Sequence, residues 1–399
     1  MRRLLPPLAV LACLMAGCAP SPAAEPTPSP NGSAPQPSAP PATSVTSSAT
    51  PPQGAACAAL VSGMSLPERV GQLYMVGVST TGLDAATAAA IRDTHTGSVV
   101  LLGNSAAGAE AITKVTADVA ALGTGAMPLL IAADQEGGRV QRLKGPGFSD
   151  IPTAFAQAEL PAGELRVAAR SWGEELAAVG VHYNLAPVAD VVPKAKQSSN
   201  APIGALKRNY GNDRETAARG VTEFTRGMAD AGIATSLKHF PGLGKVTTNT
   251  DFGAAKDTDV VPGDEDWSVF TAGIDAGASS VMVSSGVFEN LDPSTEGVFS
   301  KIIVTDILRG ELGFDRVVIA DDLGAAVAVK EIPAAERGTR FIRAGGDLAI
   351  NADPALLKGM VADTLTAAEA DGAFATRVAE SAGRILELKA SVGLLECQR

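Results

Sequence analysis

Short apolar runs of strand length alternate along the chain with stretches whose apolar residues recur at helical spacing. The runs are Gly71–Val78, Gly97–Leu102, Pro128–Asp134, His182–Val191, Ala234–Phe240, Ser279–Ser285, Arg316–Asp321 and Asp347–Ala352. They are continuous rather than alternating, the pattern of strands covered on both faces. Helix-period segments lie between them, among them Ala106–Ala121, Gly163–Val179, Asp213–Ala231 and Lys301–Leu312. Eight such units across residues 56–399 predict an α/β fold, a single (β/α)8 TIM-type barrel rather than an open doubly wound sheet.

The pattern upstream is different. Arg2 and Arg3 precede an apolar run from Leu4 to Met15, followed by the small residues Ala16-Gly17-Cys18. A charged start, an apolar centre and small residues at its end mark a secretory signal, here residues 1–17. The run is too short for a permanent membrane span. Met15-Ala16-Gly17-Cys18 resembles a bacterial lipobox, which makes Cys18 the expected site of lipidation. Residues 18–55 then carry Pro, Ser, Ala and Thr without apolar period, and 11 of the 26 prolines fall there. Such a segment cannot bury enough surface to offset its ordering entropy, so a disordered tether is expected. The expected location is the outer face of the cell membrane, held by a lipid anchor alone.

Within the body, polar residues collect where the predicted strands end. Asp134-Gln135-Glu136 closes the third strand, Asp190 the fourth, Lys238-His239 the fifth and Asp321-Asp322 the seventh, while Asn351 and Asp353 follow the eighth. These are C-terminal strand ends, the rim on which barrel enzymes hold their chemistry. The formal charge of −11 excludes a basic field for nucleic acid, and 4% aromatic residues offer few stacking platforms. The three histidines, His95, His182 and His239, show no metal-ligand spacing, and the cysteines form no CxxC pair. No metal or cofactor is therefore expected. There is no GxSxG elbow, P-loop or GxGxxG after a first strand. Carboxylates with basic partners remain. They suit glycoside hydrolysis, in which one carboxylate attacks and an acid protonates the leaving oxygen.

Several segments are similar to one family. Asp134-Gln135-Glu136-Gly137-Gly138-Arg139-Val140-Gln141-Arg142 resembles a signature of family-3 glycoside hydrolases, in their β-N-acetylglucosaminidase branch. Asn184-Leu185-Ala186-Pro187-Val188-Ala189-Asp190, Lys238-His239-Phe240-Pro241-Gly242 and Ala320-Asp321-Asp322-Leu323 follow in the family's order. Gly71-Gln72-Leu73-Tyr74-Met75-Val76-Gly77 resembles its opening strand. The resemblance runs from about Arg69 to the end of the chain. It implies that Asp321 is the nucleophile that forms a covalent glycosyl-enzyme. It implies that Asp134, Arg142, Arg208, Lys238 and His239 hold the sugar. Two extra residues after Ile203-Gly204 precede Arg208.

One departure stands out. The family's proton donor is a histidine on the loop after the fifth strand, with an aspartate two residues before it. Asn249 and Asp251 occupy those places here, and Pro241-Gly242-Leu243-Gly244 replaces Pro-Gly-His-Gly. Asp251 is expected to be the acid/base; another loop carboxylate, or a protein that binds glycans without cleaving them, stays open. The expectation is a retaining exo-β-N-acetylglucosaminidase, monomeric, acting on cell-wall (peptidoglycan) fragments with terminal N-acetylglucosamine. A β-glucosidase or glycoside phosphorylase on the same barrel, and a solute-binding lipoprotein, are the alternatives. Too little chain follows the eighth strand for the second domain of longer family members. Cys57 and Cys397 are expected to pair in an oxidising exported setting and tie the barrel's two ends together.

Overall fold

The computed structural model describes residues 56–397. The signal segment, the tether and Cys18 lie outside the described residues. Eight parallel strands form the core: β1 (Tyr74–Ser79), β2 (Ser98–Leu102), β3 (Leu130–Ala133), β4 (Tyr183–Asn184), β5 (Ala234–Phe240), β6 (Ser280–Val283), β7 (Val317–Ala320) and β8 (Ala349–Asn351). They pair in chain order, and Tyr74 lies opposite Ala349 where β8 meets β1. Between β7 and β8 the barrel closes through Ala320 N donating to Leu348 O at 3.0 Å and Asp347 N donating to Val318 O at 2.8 Å.

A helix follows each strand: α1 (Ala85–Asp93), α2 (Ala109–Ala120), α3 (Glu164–Ala178), α4 (Arg214–Asp230), α5 (Trp267–Asp275), α6 (Ile302–Glu311), α7 (Ala334–Arg343) and α8 (Leu357–Ala370). A last helix, α9 (Gly372–Ser391), comes after α8. Side chains cap the starts of α1 and α4. Asp84 accepts from Ala86 N and Thr87 N at 2.9 Å, and Asp213 accepts from Thr216 N at 2.8 Å. Strand residues are buried from both sides, as the continuous apolar runs predict; all seven residues of β5 are buried, Lys238 and His239 included.

Most strand ends lie within one or two residues of the predicted runs, and two differ more. The first run begins inside a helix, Leu66–Gln72, and pairing starts only at Tyr74. The fourth run keeps strand pairing for two residues. Pro187 has no N–H to give, so the chain beyond Asn184 follows β5 through single bonds. Ser236 N donates to Ala186 O at 3.0 Å, Lys238 N to Pro187 O at 3.2 Å, and Ala189 N to Lys238 O at 2.7 Å. This irregular tail carries Asp190 to the rim.

Cys57 and Cys397 are joined by a disulfide with Cα atoms 4.8 Å apart, across 340 residues of sequence. It links the first described residues to the segment after α9, below the N-terminal ends of the strands. Among the described residues, no helix is long and apolar enough to cross a membrane.

Candidate active site

Asp134 stands directly after β3. The chain then turns through a hairpin, Gln135–Gly137 with Val140–Gln141, that returns Arg142 to the same rim. Gly137 makes the turn possible: its φ is +105°, and a Cβ there would collide with the Pro152 carbonyl. Arg142 Nε lies 3.9 Å from Asp134 Oδ2, and its guanidinium also donates to Asn104 Oδ1 at 3.2 Å. Nε itself is buried with no hydrogen-bond partner among the described residues. It is a donor that only a ligand or water can satisfy.

Lys238 reaches across from β5. Its Nζ sits 2.7 Å from both Asp134 Oδ1 and Glu136 Oε1. Glu136 also receives a two-pronged contact from Arg208, at 2.8 and 2.7 Å. Burial pushes the Glu136 carboxyl up, but the Arg208 and Lys238 charges outweigh it and hold the group well below the usual carboxylate range. Burial pulls Lys238 down, and the carboxylates of Asp134 and Glu136 outweigh it, so its ammonium is raised. The four charges form a network on one side of the rim, with Lys238 and Glu136 buried and Asp134 and Arg208 partly exposed. Arg208 spends its guanidinium on Glu136 and on Pro202 O at 2.8 Å, so it braces this network.

His239 would point away from Lys238 in a regular strand. The register of β5 against β6 shifts between Lys238 and Phe240, and such a bulge re-aims a side chain. His239 Nδ1 meets Asp190 Oδ2 at 2.8 Å. Its Nε2 has no partner among the described residues, and its side chain is 7% exposed.

Asp321 follows β7, with its N–H on Val283 O at 2.9 Å. Burial lifts its carboxyl to about 6; the His239 charge pulls it down, while Asp251 and Asp322 push it further up. Asp322 is in a different position. Its Oδ1 accepts from Gly324 N and Ala352 N at 2.9 and 2.8 Å, and its Oδ2 from Ala325 N and Ala326 N at 2.8 and 3.1 Å. Four backbone donors occupy all its lone-pair sites, so Asp322 shapes the turn after β7. Asp321 accepts one bond, from Asp322 N at 2.9 Å, and keeps the remaining capacity free.

The loop after β5 is pinned at its root. Asn200 Nδ2 donates to Leu243 O and Val246 O, both at 2.7 Å, and Lys245 pairs with Asp264 and Asp266 at 2.9 Å. Leu243 is buried, an apolar contact at the place where a polar group stands in the family pattern. Further on, Asp251 is exposed beside Phe252, and its carbonyl faces Val327 N at 3.4 Å across the rim. Asp251 is close enough for Asp321 to feel its charge.

The rim therefore carries Asp134, Arg142, Arg208 and Lys238 in one network, with His239, Asp251 and Asp321 within reach of one another's charge. Comparison with known proteins identifies the lineage. Residues 65–388 match the model of the glycosyl hydrolase family 3 N-terminal domain. The chain belongs to glycoside hydrolase family 3. It is similar to the crystal structure of β-N-acetylhexosaminidase from Beutenbergia cavernae, at 45% identity and TM-score 0.80, over 82% of this chain and 99% of that one. A family-3 β-N-acetylglucosaminidase from Paenibacillus sp. matches at 28% identity and TM-score 0.76, over 83% of this chain and 63% of that one. A β-hexosaminidase of Stenotrophomonas maltophilia is 33% identical over 301 residues, 71% of this chain and 84% of that protein.

Two residues of this family-3 rim escaped the sequence reading. Glu136 and Asp190 each stand in a family motif, but the motif does not show what either does. Both act on another side chain, Glu136 on Lys238 and Arg208, Asp190 on His239. Spacing along one chain does not reveal partners 49 or 72 residues away.

Proposed function

We propose that this chain is a retaining exo-β-N-acetylglucosaminidase. Asp321 attacks the anomeric carbon and forms a covalent glycosyl-enzyme, which water then hydrolyses. Asp251 protonates the leaving oxygen and afterwards deprotonates the water. Lys238, Asp134 and Arg142 bind the ring hydroxyls, Arg208 holds their frame through Glu136, and His239 meets the sugar beside Asp321. The substrate is a cell-wall (peptidoglycan) fragment ending in N-acetylglucosamine. On the reading of residues 1–55 given above, the enzyme works outside the membrane on a lipid anchor at Cys18, as a single chain.

One observation carries this reading: of the paired aspartates after β7, Asp322 is saturated by backbone donors, whereas Asp321, half-buried near His239, keeps free lone pairs. The similarity to the Beutenbergia β-N-acetylhexosaminidase, along nearly all of that protein, supports the sugar class. The loop favours a second reading, because Asn249 and Asp251 replace the family's aspartate and histidine. That reading is a glycan-binding protein without turnover.

The test is release of nitrophenol from the β-N-acetylglucosaminide and from the β-glucoside by the full chain and by Asp321→Asn. Release from the N-acetyl substrate alone, abolished in the variant, supports the hydrolase. A folded protein that binds N-acetylglucosamine and releases nothing supports the second reading instead. Release of sugar phosphate in phosphate buffer would turn the proposal toward a phosphorylase.

A further inference from the structure

We propose that Asp190 is a positioning residue for the reaction at Asp321: one of its oxygens fixes the tautomer in which His239 presents Nε2 to the sugar, and the other fixes the root of the loop that carries Asp251. The inference rests on the hydrolase reading above.

Asp190 is 1% exposed, at the end of the irregular tail after β4. Its Oδ2 meets His239 Nδ1 at 2.8 Å. Its Oδ1 accepts from Leu243 N at 2.7 Å and from His239 N at 3.3 Å. An ionised carboxylate only accepts, so the proton of the neutral imidazole must lie on Nδ1. Nε2 is then the nitrogen that carries the free lone pair. It is also the nitrogen left without a partner among the described residues.

Packing alone does not call for a carboxylate at this place. A neutral acceptor would satisfy Leu243 N, and burying a charge costs several kcal/mol, so a carboxylate here points to something that a neutral group cannot do. A fixed tautomer and a counter-charge for the imidazolium are two such things. The neighbouring loop agrees with a fixed root: Gly244 packs so closely that a Cβ would collide with the Val191 carbonyl, one residue beyond Asp190. Asp190 thus touches both sides of the cleavage step, the sugar-facing histidine beside Asp321 and the loop that delivers the proposed acid. It contacts no reacting atom itself.

Asp190→Asn separates the two jobs. The amide keeps an acceptor for Leu243 N but sets an NH2 against Nδ1, which drives the histidine proton to Nε2. Nitrogen-resolved NMR of the full chain reads the tautomer directly, and three histidines make His239 easy to assign. The expected result is Nδ1–H in the parent and Nε2–H in the variant. kcat/KM should fall about 10–100-fold, the usual effect of losing an orienting partner. The acid limb of the pH profile should shift, because the charge of His239 acts on the Asp321 carboxyl. Asp190→Glu should restore the parent tautomer and part of the rate.

An Nε2–H tautomer in the parent chain overturns the proposal without any variant. So does a flipped tautomer with unchanged kcat/KM, or an activity loss that only tracks lost thermal stability with the pH profile unmoved. If the chain releases no sugar, the hydrolase reading fails separately, and calorimetric binding of N-acetylglucosamine reads this inference. Affinity lowered about 10-fold with the flipped tautomer supports it, and unchanged affinity overturns it.

Discussion

The two ends of the barrel both bury charge, and they use it differently. Below the strands, Asp347 is enclosed by Arg309, Arg377 and Arg384 at 2.5, 2.8 and 3.3 Å, with Ser381 Oγ at 2.8 Å and Val318 N at 2.9 Å completing its bonds. Burial raises that carboxyl, but the three guanidinium charges outweigh it and hold it well below the usual range. Above the strands, Asp321 is half-buried, with one backbone bond and no cation in contact, and its carboxyl rises to about 6. Closing every lone pair makes a charge structural. Leaving some open, at a cost in stability, makes it reactive. A buried cluster of charges does not by itself mark a site; the unfilled bonding capacity does.

The largest effect that would sharpen this contrast is at the top. Asp321→Asn should lower kcat/KM on the order of 10⁴-fold or more, as loss of a nucleophile does. It should not lower the melting temperature. The sign follows from the raised carboxyl: its folded value of about 6 exceeds the ordinary 3.8, so its stabilising contribution is complete below pH 3.8 and lost as pH rises through 6. At pH 7 the charged group costs up to about 3 kcal/mol that the amide does not, so thermal melts should place the variant at or above the parent. A clear drop would remove the distinction between the two ends. In the parent, kcat/KM should fall below about pH 6 rather than pH 4, because Asp321 must be ionised to attack.

Asp251→Ala tests the other half of the rim. Loss should be about 10²–10⁴-fold on an alkyl glycoside and much smaller on the nitrophenyl glycoside, whose leaving group needs little protonation. Equal loss on both would remove Asp251 from the acid role.

At the bottom the expectations reverse. Asp347→Asn leaves three arginines facing one another and should cost about 3–5 kcal/mol in denaturant titration, with kcat per folded molecule unchanged. The parent's contribution from Asp347 is present above pH 3.8 and lost as pH falls below it, opposite to Asp321. A fall in kcat without loss of stability would show that the lower cluster reaches the chemistry.

The smallest effect is at Lys389. It is fully buried, bonded to Gln72 Oε1 at 2.7 Å and Pro128 O at 2.8 Å, and burial draws it down to about 7. Its neutral form suits the fold, so stability is complete above 10.5 and lost as pH falls toward 7. Lys389→Met should flatten that slope while changing stability at pH 7 by about 1 kcal/mol or less, since two orphaned acceptors offset the relieved burial. An unchanged slope would show that another group sets it.

The amino-acid sequence determined much of this protein. Eight apolar runs between helix-period segments specify the barrel, because parallel strands covered on both faces need unbroken apolar stretches. The order of polar residues at the run ends located Asp134, Lys238, His239 and Asp321 on one rim, because every parallel strand ends on the same side. Tertiary structure decided the rest. Asp321 and Asp322 are identical side chains one residue apart, and only the folded turn gives Asp322 its four backbone donors. Arg208 reads as a sugar-binding cation until Glu136 appears across the rim to occupy it. Asp190 reads as one more rim carboxylate until the shifted register of β5 brings His239 to it. Composition and periodicity report what a segment buries. Whether a buried charge is answered depends on groups far away in the chain, which meet only when the barrel closes.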